Sequence, residues 1–398
     1  MYPTKENVRY VDQDTYDNWF RAHPKPGDIL FVLKGAPGRC ALVPDPVDFC
    51  IAQDMVAVRA DREKIDPKYL FAALRSPLIQ ESIDRMHVGT MIPHFKKGDF
   101  NKLLIPIPDR HIQEFIGSAH MALVEKIELN RRMNETLEAT ARAIFKDWFV
   151  DFGPTRAKLD GRAPYFTADI WSLFPDRLDD EGKPEGWANV QLAQVADIVK
   201  GRSYKSEELQ PSRTALVTLK SFARGGGYRS EGLKSYKGSY KPNQVVSEGD
   251  LIVALTDVTQ AAELIGRPAR VLADPRFDTL VASLDVAIIR PKEESLVTRE
   301  FLFGTMATEE FTVHTYAHTS GTTVLHLSKD AIPSFRFNVP NSRLVSAFEE
   351  SAGPLFARIA ANERESRTLA TTRDFLLPKL MSGEVRVKDA EMLVGETT

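Results

Sequence analysis

The chain has 398 residues, 43% apolar and 27% charged, which is typical of a globular protein with two or three domains. Its apolar runs are too short to span a membrane, its first residues lack an apolar signal core, and Cys40 and Cys50 form no metal-binding or disulfide pattern. We therefore expect a cytoplasmic protein. The net charge of −3 argues mildly against nucleic-acid binding, but residues 200–241 hold ten basic and three acidic residues and so carry +7.

The first part of the chain reads as β-rich, followed by one long helix. Strands are predicted for the apolar runs at residues 28–33, 55–58 and 103–105, and a short helix near residues 67–74. After a Pro-Ile-Pro step, the pattern predicts a helix over residues 111–149 with Asp109 as N-cap. At 1.5 Å per residue this helix is about 55 Å long, far longer than an average helix.

The second part of the chain follows the same plan after a proline-rich linker. Strands are predicted at residues 251–255 and 286–289, and a short helix at residues 298–306. A second long helix is predicted over residues 344–377, with Asn341 as N-cap and with Pro378 and Gly383 as stop signals.

An internal repeat explains this parallel. Residues 27–30 (GDIL) match 249–252 (GDLI), residues 68–71 (KYLF) match 300–303 (EFLF), and residues 89–94 (GTMIPH) match 321–326 (GTTVLH). From Lys68 onward the matches keep one offset of 232 residues, which continues into the helices, where 130–132 (NRR) match 362–364 (NER). The period is too long for a solenoid, so we interpret the repeat as a duplicated unit of one domain and one helix.

Each long helix carries an apolar stripe at alternating three- and four-residue steps, which is typical of a coiled-coil seam. Asn130 and Asn362 occupy equivalent positions in the two stripes, and a polar seam residue of this kind commonly sets helix register. We expect the two helices to pack on each other. The alternative is a pair of independent amphipathic helices.

In order and duplication of its motifs, the chain resembles the DNA-specificity subunits of type I restriction–modification systems. The motifs are Pro-Glu-Gly-Trp at 184–187, the Gly-Asp strands, the two Gly-Thr loops with a following His, and the runs at 145–152 and 375–384. The resemblance implies an α+β fold: two β-rich target-recognition domains, each followed by a long helix, with the helices packed as an antiparallel coiled coil. The implied boundaries are 1–108 and 187–340 for the recognition domains, 109–150 and 341–381 for the helices, 151–186 for the linker and 382–398 for a polar tail.

The resemblance also implies a function. Such a subunit reads a split DNA target, has no catalytic motif of its own, and recruits modification subunits and restriction subunits. S-adenosylmethionine, ATP and Mg²⁺ are expected on those partners and not on this chain. One departure concerns the first unit: only 26 residues precede Gly27, whereas Trp187 precedes Gly249 by 62. We therefore expect the first recognition domain to be incomplete at its start.

Basic and aromatic residues supply the candidate DNA contacts, since Lys and Arg neutralise phosphates and Arg can read guanine edges. In the basic segment they are Lys200, Arg202, Tyr204, Lys220, Arg224, Arg229, Lys234, Lys237 and Lys241. In or just beyond the two Gly-Thr loops they are His94, Lys96, Lys97, His326 and Lys329. The alternatives are a solvated loop face for the segment and purely structural turns for the loops.

Enzyme motifs are weak. No phosphate-binding loop, adenine-methylation motif or GxGxxG motif is found. Asp176, Glu181 and Lys183 superficially resemble a metal-dependent nuclease signature, but only four residues separate its halves. A stand-alone DNA endonuclease and a coiled-coil scaffold that binds protein therefore stay as alternatives.

Overall fold

The computed structural model describes residues 2–3, 8–20, 23–51, 54–86, 92–259 and 261–387. The chain divides into two compact units. The first unit consists of Met1–Asn134 and Ala361–Thr398, and the second is Glu135–Ala360. Within the described ranges, no helix is both long and apolar enough to cross a membrane.

Three strands form an antiparallel sheet in the first unit, in the order β2-β1-β3. They are β1 (Ile29–Val32), β2 (Cys40–Leu42) and β3 (Met55–Val58). Because side chains alternate along a strand, Ile29 and Phe31 point to the same face, and both are buried in the core of the unit. The strands predicted at residues 28–33 and 55–58 are thus confirmed.

Two short helices follow, α1 (Pro67–Arg75) and α2 (Pro77–Met86). The Asp66 carboxylate caps α1 by accepting hydrogen bonds from the backbone N–H groups of Lys68 and Tyr69, and Pro67 suits the first helical position because its missing N–H is not needed there. The predicted helix near residues 67–74 is confirmed. With these helices the first unit is mixed α and β, and less rich in strand than the sequence predicted.

The strand predicted at residues 103–105 is wrong. This segment is not in a strand, and the side chain of Leu104 at its centre is 83% exposed. At the offset of 232 residues, the equivalent segment of the second unit does form a strand, because another strand pairs with it. Among the described residues, the first copy has no such pairing partner.

The first long helix, α3 (Arg110–Phe149), has bounds within one residue of the prediction. The second unit then contains four short helices and one longer than eight residues, namely α4 (Gly153–Leu159), α5 (Ala168–Trp171), α6 (Leu192–Val195), α7 (Arg299–Met306) and α8 (Glu309–Ala317). Helices α4 and α5 lie inside the segment predicted as a linker, and α7 is the short helix predicted at 298–306.

The strands of the second unit are β4 (Ala188–Gln191), β5 (Ala196–Lys200), β6 (Thr214–Val217), β7 (Lys234–Ser235), β8 (Val245–Val246), β9 (Leu251–Ala254), β10 (Thr256–Asp257), β11 (Pro268–Arg270), β12 (Thr279–Ala282), β13 (Val286–Pro291), β14 (Thr319–Ser320), β15 (Leu325–Leu327) and β16 (Arg336–Val339). Strands β9 and β13 confirm the predictions at residues 251–255 and 286–289. The sheet orders are β11-β9-β13-β5, β7-β6-β12-β8, β10-β15-β14 and β16-β4. Only β6 and β12 pair in parallel within these sheets.

The second long helix, α9 (Ser342–Ser382), runs through Pro378, so the prediction that Pro378 stops it is wrong. Asn341 caps its start, as predicted, by accepting a hydrogen bond from the N–H of Leu344. A proline inside a helix costs about 3 kcal/mol. Four apolar side chains around it are buried in the core of the first unit, and each contributes about 1.5–3 kcal/mol, which offsets that cost. They are Leu376, Leu377, Leu380 and Met381.

The two copies of the repeat build the same hydrogen-bonded frame. In the first copy, the N–H of Gly27 donates to the carbonyl of Val43, and the N–H of Phe95 donates to that of Leu33. In the second copy the same bonds run from Gly249 to Val271 and from Leu327 to Leu255.

A buried aspartate follows the glycine in each copy. Asp28 accepts a hydrogen bond from Arg59 at 2.7 Å, and Asp250 accepts one from Arg290 at 2.6 Å. Burial by itself would raise the pKa of Asp28, but hydrogen bonds from Arg59 and from the N–H of Lys25 bring that pKa below its usual value. In the first copy, the fold therefore favours the charged form of this buried carboxylate.

Candidate nucleic-acid interface and helix seam

The basic segment of the second unit is organised around Tyr236, whose side chain is fully buried. Its hydroxyl accepts a hydrogen bond from Arg202 Nε at 2.9 Å and donates one to the carbonyl of Ser239 at 2.9 Å. The Arg202 guanidinium also lies 3.9 Å from Glu208. Arg202 is therefore half-buried and held in place, which is a structural role that its sequence pattern did not show.

Glu208 connects two further parts of the basic segment through hydrogen bonds. Its carboxylate accepts a hydrogen bond from the N–H of Lys205 at 2.7 Å, and its carbonyl accepts one from the N–H of Lys237 at 2.9 Å. Nearby, Lys234 Nζ lies 5.8 Å from the centre of the Tyr204 ring, a cation–π arrangement, and both side chains are half-buried. Four predicted contacts thus lie in one neighbourhood, namely Arg202, Tyr204, Lys234 and Lys237. Lys205, which was not among the predicted contacts, lies there too.

Four lysines of this neighbourhood are exposed, and none of them has an ion pair within the described part of the chain. They are Lys200, Lys205, Lys237 and Lys241. Lys200 is tied to the 242–244 turn, since its carbonyl accepts a hydrogen bond from Gln244 Nε2 at 3.4 Å. We name these four residues the lysine group. Their charges face water and remain available to an anionic ligand.

Lys220, Arg224 and Arg229 lie on a separate stretch around residues 218–233. Lys220 is exposed, but Arg224 Nε is 3.2 Å from Glu263, and Arg229 Nε is 3.9 Å from Glu231. Carboxylates therefore partly neutralise both arginines. Between them, three successive glycines at 225–227 all adopt positive φ, a conformation that residues with a Cβ rarely adopt.

The two Gly-Thr loops lead into equivalent pairings. His94 forms an antiparallel bridge with Lys34, and His326 pairs with Thr256. His94 is half-buried and His326 is exposed, while the lysines that follow, Lys96, Lys97 and Lys329, are all exposed. Residues 89–91 of the first loop lie outside the described residues.

The nuclease-like triad is not assembled. Lys183 Nζ binds Glu181 and Asp179, whereas Asp176 pairs with Lys158 at 2.9 Å. No cluster of three or more His, Cys, Asp or Glu side chains that could hold a metal ion occurs among the residues described.

The two seam asparagines meet inside the first unit. Asn130, fully buried, donates from Nδ2 to the Ser366 hydroxyl at 3.2 Å and to Glu365 at 2.8 Å. Asn362, also buried, donates from Nδ2 to Asn134 Oδ1 at 2.8 Å. At the repeat offset Asn130 corresponds to Asn362 and Asn134 to Ser366, so the two contacts are copies of each other with the helices exchanged.

The sequence analysis did not identify His120, which is 4% exposed and faces a small apolar cavity beside Arg373 and Leu376. Neither of its ring nitrogens has a hydrogen-bond partner in the described structure. Burial, together with the positive charges of Arg75 and Arg373, lowers the pKa of His120 to about 4. The only feature of the sequence that could have indicated His120 is that a histidine lies on the apolar face of a helix.

A family model described as "Type I restriction modification DNA specificity domain" matches residues 11–139. The HindI specificity subunit of Haemophilus influenzae is 22% identical, over 91% of this chain and 87% of that protein. The MjaIX specificity subunit of Methanocaldococcus jannaschii is 24% identical, over 93% of this chain and 80% of that protein. The chain is therefore similar to type I DNA-specificity subunits along most of its length. The predicted resemblance is thus confirmed.

A solved structure has a similar fold. The type I restriction–modification S subunit from M. genitalium superposes with a TM-score of 0.53 at 16% identity, covering 90% of this chain and 84% of that one. This likeness concerns the fold alone, which is the mixed helix and sheet architecture expected of a specificity subunit.

Proposed function

We propose that this chain is the non-catalytic DNA sequence-recognition subunit of a type I restriction–modification complex. The similarity to type I specificity subunits supports this role over a nuclease or a protein-binding scaffold. The observation that carries the DNA contact is the lysine group, four exposed cations that have no ion pair among the described residues and that lie in an otherwise acidic protein. Phosphates are the ligands that such a group attracts most strongly.

In the second unit, the lysine group contacts phosphates, whereas Arg202, Tyr204 and Lys234 form the platform that positions it. Lys220, Arg224 and Arg229 add a second contact, and Arg224 and Arg229 exchange Glu263 and Glu231 for phosphates as DNA binds. His326 and Lys329 extend this surface. In the first unit, His94, Lys96 and Lys97 make the equivalent contacts.

The two long helices act as a spacer between the two recognition surfaces. We infer that they pair in opposite directions as a coiled coil. The reciprocal contacts Asn130–Ser366 and Asn362–Asn134 support this pairing, since the partner number falls in α9 as the residue number rises in α3. Asn130 and Asn362 then fix the register, because a one-turn slip would bury their amides against apolar neighbours.

Catalysis belongs to the partners. In this proposal the chain recruits modification subunits, which use S-adenosylmethionine to methylate adenine, and through the complex restriction subunits, which use ATP and Mg²⁺. The complex works in the cytoplasm, where its DNA substrate lies.

The test is the salt dependence of DNA binding in the complex with modification subunits. Replacing all four residues of the lysine group with Ala should lower the slope of log K against log salt by about 3 to 4, since each phosphate contact contributes about 0.9. K220A/R224A/R229A should lower it less, because carboxylates already face two of those side chains. As a control, the double variant R213A/D278A removes an exposed ion pair between this segment and Asp278 and leaves the net charge unchanged. An unchanged slope in the fourfold variant would remove the lysine group from the interface.

A further inference from the structure

The second unit has a groove beside strand β16. A cavity of about 170 Å³ is lined by the rings of Phe145 and Phe149 at the end of α3, by Thr305 and Thr308 near the end of α7, and by β16 itself. It continues into an open cleft along α8, where the Val313 side chain is 61% exposed. The groove is thus apolar at its floor and lies next to a strand.

The edge of β16 that borders the groove has unused backbone groups. Among the described strands, β16 pairs with β4 alone. The carbonyl of Phe335 accepts a hydrogen bond from the N–H of Leu192, so the backbone of residue 335, and by alternation that of 337 and 339, faces β4. The N–H and C=O groups of Arg336 and Asn338 therefore face the groove. A row of unpaired strand groups is a template for another strand.

The charges around the groove favour a polypeptide over DNA. Glu309 and Glu310 are exposed on its rim. The nearby cations are engaged, since Arg336 Nε donates to Asn189 Oδ1 at 2.7 Å and Lys146 Nζ donates to Asp151 at 2.6 Å. An acidic rim repels phosphates and attracts a basic side chain.

We propose that this groove binds an extended segment of the modification subunit, which adds a strand to the edge of β16. This inference rests on the proposed function, which requires a polypeptide partner. The segment carries apolar side chains at every second position, which fill the space above Phe145 and Phe149, and a basic residue that faces Glu309 and Glu310. Its backbone pairs with Arg336 and Asn338, as in other cases of strand addition.

The experiment measures the affinity of the full-length chain for the purified modification subunit of its own system. Asn338→Pro removes an N–H that faces the groove and leaves the ladder to β4 intact. Asn189→Pro is the matched control, because Asn189 lies opposite Asn338 on β4 and its N–H faces the outer edge of that strand. Both variants lose the side-chain hydrogen bond between the two residues, and Asn189→Pro also loses the bond from Arg336 Nε to Asn189 Oδ1. Val313→Asp tests the groove with an exposed residue that the fold does not need.

We expect Asn338→Pro and Val313→Asp to weaken binding about tenfold or more relative to Asn189→Pro, with DNA binding by the chain unchanged in all three variants. If Asn338→Pro and Asn189→Pro bound the modification subunit equally well, and Val313→Asp bound it like the wild type, the proposal that the groove binds this subunit would be wrong. The DNA-recognition role would not be affected. The groove proposal would also be wrong if the wild-type chain bound specific DNA but did not bind the modification subunit. A chain that binds neither would overturn the proposed function itself.

Discussion

The two copies of the repeat share a frame but differ in what covers it. In the second copy, Ile252, Ala254 and Ala269 are fully buried, since the sheet that contains them packs against β6, β8 and β12. Of the equivalent positions in the first copy, Leu30 is buried, whereas Val32 and Ala41 are only half-buried. Among the described residues, no second sheet covers that face. The comparison indicates that both copies share the glycine turn and the aspartate–arginine pair. The second sheet, which carries part of the proposed recognition surface, is present in the second copy only, among the described residues.

The largest effect should come from removing the buried aspartate. Asp250→Ala leaves Arg290 with carbonyl partners but without its carboxylate, and we expect a loss of about 3 kcal/mol in the second unit. Asp28→Ala should cost the first unit about 2 kcal/mol, because the Arg59 side chain is 53% exposed against 32% for Arg290. Hydrogen exchange of the β1 and β9 amides measures the two units separately. If the amides were protected from exchange equally in the variants and the wild type, the claim that both copies depend on this ion pair would be wrong.

His120 distinguishes the two copies by its response to pH, since its counterpart in the second copy is the buried Ala352. The folded pKa of about 4 lies below the unfolded value of 6.5, so the unfolded state binds more protons between these values. The first unit should therefore lose about 2 kcal/mol of stability between pH 7 and pH 5. In His120→Leu that loss should vanish, as measured by denaturant unfolding at the two pH values. The β9 amides of the second unit are the internal control, and an unchanged pH dependence in the variant would rule out His120 as the cause.

The smallest expected effect is the difference in stability loss between alanine substitutions at the two turn glycines. Gly27 and Gly249 both adopt positive φ, at +83° and +86°. Gly27→Ala should cost about 1 kcal/mol from backbone strain alone, since nothing lies near the added Cβ. Gly249→Ala should cost somewhat more, because its Cβ would lie 2.7 Å from Arg299. Thermal unfolding of both variants measures which one loses more stability. A smaller loss in Gly249→Ala than in Gly27→Ala would contradict this prediction.

Short, repeated patterns made most of the frame predictable. The internal repeat identified equivalent strands and helices, and the start of α9 follows from Asn341, a local cap. Two errors have a common cause, since they depend on contacts far away in the sequence. The run at 103–105 lacks a pairing strand, and α9 continues past Pro378 because distant apolar residues bury its neighbours.

The candidate interface was less predictable for the same reason. Composition identified the basic segment, but it could not show that Arg202 is bound by Tyr236, or that Arg224 faces Glu263. Which cations are unpaired depends on the fold of residues that are not adjacent in sequence. The apolar stripe of the first long helix did not identify Asn134, because a polar side chain does not continue an apolar pattern, although Asn134 accepts the hydrogen bond of Asn362.

The most direct test of the account is a map of adenine methylation in cells that contain this chain with its modification subunit, compared with cells that lack the chain. The account predicts new methylation at a split motif, with two specified halves separated by a gap of fixed length. New methylation at one contiguous motif, or no new methylation with both proteins present, would contradict it.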